Sequence, residues 1–293
     1  MTGTSHTSRH HEMLRSFTVD CDGETLSCAA IEPLRTSTSP STPLSAVVLH
    51  GAGISDKTRH TALLTDFAAR GHHALACDFS GHGNSTGQLG ELSLERRFLQ
   101  ARALIDHCVP ADAGLALIGF SMSGQTVADL AAHYGSRVAS IGLCAPAVYA
   151  ADAWTVPFGA GFTEIIRTPE SWRTSPAFEV FRSLSTRAVL VTPAHDAVIP
   201  PAVTEAIAAA LGTSRARFAR FVHPAADHRL GSWFAGNSVP RSRFVAAVLQ
   251  GTPYECTPPQ PGSAAAGGSP QEHPTPAVPG RETLGTHSGR RSS

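Results

Sequence analysis

The chain contains 293 residues, of which 23 are lysine or arginine and 23 are aspartate or glutamate, so its formal net charge at pH 7 is zero. A neutral chain lacks the clustered cations that contact phosphate backbones, and nucleic acid is therefore excluded as an expected partner. The length suffices for one large α/β domain or for two small ones, with a substantial buried core in either case.

The two ends of the chain differ in composition from its middle. Residues 1–15 are rich in Thr, Ser and His and lack the apolar stretch of a secretory signal, so we predict a disordered N-terminus. Residues 251–293 are rich in Pro, Gly, Ser and Thr and offer almost no large apolar side chains, which predicts a disordered tail. Residues 16–250 remain for the folded domain.

Cysteine usage and hydropathy indicate the cellular compartment. The six cysteines are scattered without the close spacing of a metal site, and several lie in apolar stretches. Buried, reduced thiols of this kind are typical of cytosolic proteins. No apolar run reaches the roughly 20 residues that a membrane-spanning helix needs. We therefore expect a cytoplasmic protein with no membrane span and no metal.

Apolar runs alternate with amphipathic segments along the predicted domain. The turn pair Asp22-Gly23 predicts an antiparallel hairpin between residues 17–20 and 25–31. Short strands, most of them predominantly apolar, are predicted at residues 46–50, 74–78, 115–120, 140–144, 188–192 and 217–222. Helices are predicted at residues 61–70, 92–107, 124–134, 204–211 and 244–250. This alternation indicates an α/β fold, with a mostly parallel central sheet, helices on both faces and the hairpin at the N-terminal edge.

The strongest chemical signal is the sequence LALIGFSMSG at residues 115–124. An apolar strand that runs through Gly-x-Ser directly into a helix is typical of a nucleophile elbow, whose sharp turn exposes the serine hydroxyl. Ser121 is the predicted nucleophile, with Gly119 as the small residue two positions before it. Ser123 stands where glycine is usual, and the alternative interpretation of the motif is a serine that only caps the helix.

A glycine-rich turn, HGAG at residues 50–53, follows the third predicted strand and supports the elbow. Acyl transfer needs two backbone N–H donors that converge on the developing oxyanion. Such a turn presents one donor, and the residue after the nucleophile presents the other. We therefore predict the N–H groups of Ala52 and Met122 as the oxyanion hole. The alternative is an ordinary turn at the end of a strand.

Chain order indicates the remaining partners, because on this fold the serine is followed by an acid and then by a histidine, each after a late strand. Asp196 follows the strand at residues 188–192 and is the predicted acid. Two histidines, His223 and His228, follow the strand at residues 217–222. We prefer His228 as the base because it lies deeper in a loop that can curl over the serine. This chemistry requires no cofactor.

These motifs together resemble the α/β-hydrolase superfamily over residues 16–250. The turn at residues 50–53 and the sequence DFSGHGNSTG at residues 78–87 resemble the monoacylglycerol lipase and serine-aminopeptidase-like branch. The resemblance implies that His82 is a structural turn residue. It also implies that Asp196 and His228 are the acid and the base, since they lie in segments like the Asp-x-x-x-Pro and His-Arg segments of that branch. The elbow departs from the branch at Ser123.

Residues 145–185 interrupt the sheet pattern with aromatic and proline residues and are predicted to form a short cap. Trp154, Phe158 and Phe162 are candidates for lining an acyl pocket, and the alternative is that they only pack the cap onto the sheet. The expected function is cleavage of a small-molecule carboxylic ester or thioester through an acyl-enzyme. An acyltransferase or cyclase could use the same residues, and a non-catalytic binding protein is a third hypothesis.

Overall fold

An eight-stranded sheet forms the centre of the computed structural model, which describes residues 14–34 and 43–250. The sheet order is β1-β2-β4-β3-β5-β6-β7-β8, with antiparallel β1–β2 and β2–β4 pairs and parallel pairs elsewhere. The strands are β1 (Leu14–Cys21), β2 (Glu24–Ile31), β3 (Ser45–Leu49), β4 (His73–Cys77), β5 (Leu115–Phe120), β6 (Val138–Cys144), β7 (Arg187–Pro193) and β8 (Arg217–His223). The predicted mostly parallel sheet with an N-terminal antiparallel hairpin is confirmed.

Helices cover both faces of this sheet. They are α1 (Thr61–Ala68), α2 (Leu94–Cys108), α3 (Ser123–Tyr134), α4 (Phe162–Arg167), α5 (Ala177–Ser183), α6 (Pro201–Thr213), α7 (Leu230–Gly236) and α8 (Ser238–Gln250). Helices α2, α3, α5 and α6 contribute to the apolar core on one face. Helices α1, α7 and α8 contribute to the core on the other. In the part of the chain that the structure describes, no helix is long and apolar enough to cross a membrane.

Only residues 14 and 15 of the two termini that were predicted to be disordered belong to the described part of the chain. Strand β1 begins at Leu14, so residues 14 and 15 belong to the sheet and not to the N-terminus that was predicted to be disordered. The rest of that terminus and the tail at residues 251–293 lie outside the described residues. Of the six cysteines, Cys256 also lies outside them. The described ones are free thiols: Cys21, Cys28, Cys77, Cys108 and Cys144.

Parallel pairing brings the functional loops to one edge of the sheet. Strands β3, β5, β7 and β8 run in the same direction, so the segments that follow them all leave at the carboxyl edge. Those segments contain the glycine-rich turn, the elbow, Asp196 and His228, respectively. Between β6 and β7 the chain forms α4, α5 and short 3-10 helices in place of a strand.

Candidate active site

Ser121 lies on a sharp turn between β5 and α3. Its backbone adopts φ of 50°, in the left-handed region that residues other than glycine rarely occupy. The turn is tight, since a Cβ atom at Gly119 would lie 2.4 Å from the Ser123 carbonyl oxygen. The Ser121 N–H donates to the Cys144 carbonyl at the end of β6 (2.9 Å), which fixes the turn to the neighbouring strand.

His228 and Asp196 meet Ser121 at this edge. The His228 Nε2 atom lies 3.0 Å from the Ser121 hydroxyl oxygen, and its Nδ1 atom lies 2.9 Å from Oδ2 of Asp196. The other carboxylate oxygen, Oδ1, accepts hydrogen bonds from the N–H groups of Val198 (2.8 Å) and Ile199 (2.9 Å). The carboxylate is therefore held by its own loop with one oxygen directed at the imidazole. With Nδ1 protonated toward the carboxylate, Nε2 is free to accept a proton from Ser121.

The other histidine considered for the base, His223, lies elsewhere. Its ring packs against Trp233, with 4.6 Å between the ring centroids, and against Phe234 on α7. Burial lowers the pKa of His223, which favours the neutral imidazole. The hydrogen bonds to Asp196 and Ser121 come from His228.

The glycine-rich turn approaches the elbow closely. A Cβ atom at Gly51 would lie 3.0 Å from the Ser121 Cβ, so a larger residue there would press on the serine. Within the described residues, no hydrogen bond uses the N–H group of Ala52 or that of Met122. Neither of the two groups that were predicted as oxyanion donors is therefore occupied by a described acceptor, and Ala52 lines the cleft beside Ser121.

His50 fixes the base of this turn. Its buried ring makes a 2.6 Å hydrogen bond through Nδ1 to the Gly51 carbonyl and accepts at Nε2 from the Phe79 N–H (3.1 Å). Burial holds the pKa of His50 well below its usual range, so the ring stays neutral and serves both bonds. His82 packs against the His50 ring at 4.7 Å and bonds to the Ser80 carbonyl, as a structural turn residue would.

Arg97 links the turn to the elbow from beneath and was not singled out by the sequence. Its fully buried guanidinium lies 3.8 Å from the ring centroid of Phe79. Its Nη2 donates to the His50 carbonyl (2.6 Å) and to the Ser123 hydroxyl (2.8 Å). The Ser123 hydroxyl donates to the same carbonyl at 2.7 Å. A serine is therefore accommodated at the position where glycine is usual, because its side chain points into this hydrogen-bond network.

A cleft of about 460 Å³ opens beside Ser121 and His228. One wall is the glycine-rich turn and the 3-10 helix Lys57–His60, and the other is the start of α7. His60 lines the cleft and packs on Phe120 with 4.4 Å between ring centroids. Burial lowers the pKa of His60 to about 4, and neither ring nitrogen has a partner among the described residues. The wall of the cleft therefore contains a buried, neutral imidazole.

The aromatic residues predicted to line an acyl pocket do not line this cleft. Phe162 is buried in a separate cluster with Leu94 and Met122, against which Trp154 and Phe158 pack. The Trp154 indole N–H donates to Asp129 on α3 (3.2 Å). Aromatic composition indicates burial but not the surface that is covered. A role for these residues in selecting the acyl group stays a prediction.

The Gly-His-Gly loop after β4 supports the site from below. Asp78 accepts hydrogen bonds from the backbone N–H (2.7 Å) and Nζ (2.6 Å) of Lys57, and both side chains are buried. A Cβ atom at Gly83 would lie 2.1 Å from the Asp78 carboxylate, so only glycine fits there. This pair ties the loop to the 3-10 helix of the cleft wall. No group of metal-ligating side chains occurs among the described residues.

The fold and the geometry at its carboxyl edge define an α/β-hydrolase-fold protein, and comparison with known proteins agrees. The Hydrolase_4 family, described as serine aminopeptidase, S33, matches residues 42–173, which is 132 of the 293 residues. The chain has the α/β-hydrolase fold, and this segment of it is similar to that family. The match includes the glycine-rich turn and Ser121 but ends before Asp196 and His228. No curated protein matches the chain.

Three solved structures illustrate the similarity. The thioesterase domain from the curacin biosynthetic pathway is 14% identical, covers 80% of this chain and 99% of its own, and has a TM-score of 0.57. The enol-lactonase from Burkholderia xenovorans LB400 is 16% identical with the same coverages and TM-score. Est1E from Butyrivibrio proteoclasticus, solved with bound ferulic acid, is 17% identical, covers 76% and 99%, and has a TM-score of 0.56. These likenesses concern the fold, and with the family match they support a hydrolase.

Proposed function

We propose that the chain is a serine hydrolase that cleaves a carboxylic ester or thioester through an acyl-enzyme on Ser121. The observation that carries the proposal is the continuous hydrogen-bonded series from Asp196 through His228 to Ser121. A structural role gives no reason for a strained serine, a histidine and a carboxylate to be aligned at the mouth of a cleft. Nucleophilic catalysis requires that alignment.

In the proposed first step, the Ser121 hydroxyl attacks the substrate carbonyl carbon while its proton passes to Nε2 of His228. Asp196 stabilises the imidazolium that results. The N–H groups of Ala52 and Met122 donate to the oxyanion, and each such donor contributes about a hundred- to a thousandfold to the rate. When the tetrahedral intermediate collapses, His228 returns the proton to the alcohol or thiol that leaves, and the acyl group stays on Ser121.

In the second step, a water molecule loses a proton to His228 and attacks the acyl-enzyme. Collapse of the second intermediate releases a carboxylic acid and restores the Ser121 hydroxyl. The same acyl-enzyme would react with an alcohol or amine in an acyltransferase or cyclase. The names of the thioesterase domain and the enol-lactonase describe hydrolysis of esters or thioesters, which favours the hydrolase over the transferase.

We also propose a cytoplasmic location, because the described cysteines are free thiols. For the segment between β6 and β7 we propose the role of a cap.

Mass spectrometry of the acyl-enzyme tests this proposal. Brief exposure to an activated ester or acyl thioester, followed by acid quench and proteolysis, is expected to place the acyl group on the peptide that contains Ser121. Product analysis should then give the free acid, with little change when an alcohol or amine is added. An acyl group that passes mainly to the added acceptor would identify a transferase. No adduct with any ester or thioester of a graded series would favour the binding protein.

A further inference from the structure

The charge of the cleft beside Ser121 is not balanced. Its lining includes Arg59 and Arg229 but no carboxylate side chain. Arg229 is paired with Asp227, at 2.8 Å between Nη2 and Oδ2. Arg59 makes no ion pair with any residue that the structure describes. The cleft therefore presents one guanidinium that no described carboxylate contacts directly, while Asp56 interacts with it electrostatically at longer range.

Arg59 is held in place rather than left mobile at the surface. Its Nη1 donates to the Ser232 hydroxyl at 3.0 Å, a contact that joins the 3-10 helix to α7 across the cleft. Asp56, three residues earlier, accepts from the backbone and hydroxyl of Thr58, so its interaction with Arg59 does not include a hydrogen bond from the guanidinium. The other N–H groups of the Arg59 guanidinium have no acceptor in the described part of the chain. A fixed guanidinium fork matches a planar carboxylate or a phosphate.

We propose that Arg59 binds a carboxylate group carried by the ester or thioester that Ser121 attacks. The inference rests on the proposed function and specifies its substrate class. The anionic group can belong to the acyl part or to the leaving group, because both pass through the same cleft. A neutral ester would leave the guanidinium with the Ser232 hydroxyl as its described partner, whereas an anionic ester would accept from its remaining N–H groups.

Two matched pairs of esters test the proposal and distinguish its two sources. For the acyl part, para-nitrophenyl hydrogen adipate is compared with para-nitrophenyl hexanoate. For the leaving group, meta-carboxyphenyl butanoate is compared with meta-carbamoylphenyl butanoate. We expect kcat/KM to favour the anionic member of at least one pair, by about ten- to a hundredfold, as a charge-assisted hydrogen bond provides. Added salt should reduce this preference, since the cleft is open to solvent.

The substitution Arg59→Gln should lower the anionic-to-neutral ratio about tenfold or more, and Arg59→Lys should retain part of it. Arg215→Gln is the matched control, because Arg215 is exposed just before β8, at the opposite edge of the sheet. The variant Ser121→Ala measures the background turnover that does not depend on Ser121. Ser121-dependent turnover without anionic preference in either pair would overturn the Arg59 proposal alone. The absence of Ser121-dependent turnover would overturn the proposed function with it.

A second inference comes from the buried Arg97, on different evidence. Arg97 lies on the core-facing side of α2, is fully buried and has no carboxylate partner among the described residues. Burial lowers its pKa to about 9, which leaves the guanidinium charged at neutral pH. A buried charge is costly, and an apolar side chain usually fills such a position as well or better. Packing alone therefore does not explain Arg97.

The acceptors of Arg97 show what it can do. Together with the Ser123 hydroxyl it holds the carbonyl oxygen of His50, the first residue of the glycine-rich turn. We infer that Arg97 and Ser123 are positioning residues that aim the Ala52 N–H at the oxyanion. Fixing the His50 carbonyl orients the peptide that leads into Gly51 and so limits rotation of the turn. Like the first inference, this one rests on the proposed function.

Binding of a transition-state analogue separates positioning from folding. In Ser123→Ala and Arg97→Lys, kcat should fall on the order of tenfold with KM little changed, since each variant loosens a donor that acts on the oxyanion. Affinity for a boronic acid that adds to Ser121 should fall in parallel, and Arg97→Met should lose more than Arg97→Lys. Arg96→Lys is the control on the same helix, because Arg96 pairs with Asp22 and Glu24. Lower melting temperatures with unchanged kcat and boronate affinity would overturn the inference.

Discussion

Replacing Ser121 by alanine is expected to reduce kcat for an activated ester by about 10⁵-fold, because removal of the nucleophile from a serine enzyme lowers kcat by a factor of this order. No other hydroxyl is hydrogen-bonded to His228 in the described part of the chain. Alanine at φ of 50° meets the same backbone strain as serine, so the elbow should keep its shape. Steady-state rates with a para-nitrophenyl ester, together with the circular dichroism of the variant, measure both effects.

The comparison with Ser123 makes this prediction specific. Ser123 lies two residues from Ser121, but its hydroxyl is buried and bonded to the His50 carbonyl. Ser123→Ala should therefore lose far less activity than Ser121→Ala, and it should still form the acyl adduct on Ser121. Greater damage from Ser123→Ala than from Ser121→Ala, in folded protein, would contradict the register of the elbow.

The fold could be predicted from the sequence because its central strands are short, mostly apolar and regularly separated by helices. All six residues of β5 are buried, so a run without polar residues was a sufficient signal. The hairpin followed from the turn pair at residues 22–23. Helix α7 was not predicted, since it contains glycine at both Gly231 and Gly236. Its stability comes instead from the burial of Leu230 and Phe234 against the core, which local preferences do not reveal.

Chain order on a parallel sheet is also why Ser121, Asp196 and His228 could be selected as candidates. The rule places their loops at one edge, but it does not determine which histidine turns inward. That depends on the packing of His223 against Trp233, a contact between segments that a linear pattern does not reveal. Their catalytic roles remain proposals, which the substitutions described here test.

The charged groups around the site were missed for a different reason. Arg97 lies three residues after Leu94 and four before Ala101, on the buried stripe of α2. An arginine at a position where the helix pattern calls for an apolar residue was the signal that could have identified Arg97. The residue it binds, Ser123, is the serine at the elbow position where glycine is usual. Arg59 gave no such signal, because its place in the cleft depends on the contact with Ser232 in a helix far along the chain.

Replacing His228 by alanine is expected to lower kcat nearly as much as loss of Ser121, by about 10⁵-fold, because no proton acceptor then remains beside the hydroxyl. Added imidazole should restore part of the activity if the ring acts as a base rather than as packing. His223→Ala is the matched control and should change stability more than rate, since that ring packs on Trp233 and Phe234. The opposite ranking of the two histidines would reverse their assignment.

The acid can be tested through the histidine it orients. In Asp196→Asn, the amide oxygen should keep the hydrogen bonds from Val198 and Ile199, which turns the amide NH₂ toward Nδ1 of His228. Nδ1 must then accept, so the ring proton moves to Nε2, where it opposes transfer from Ser121. We expect a loss of about 10³- to 10⁴-fold in kcat, smaller than for His228→Ala because the base is still present. A loss of tenfold or less would mean that Asp196 anchors its loop without controlling the state of the imidazole.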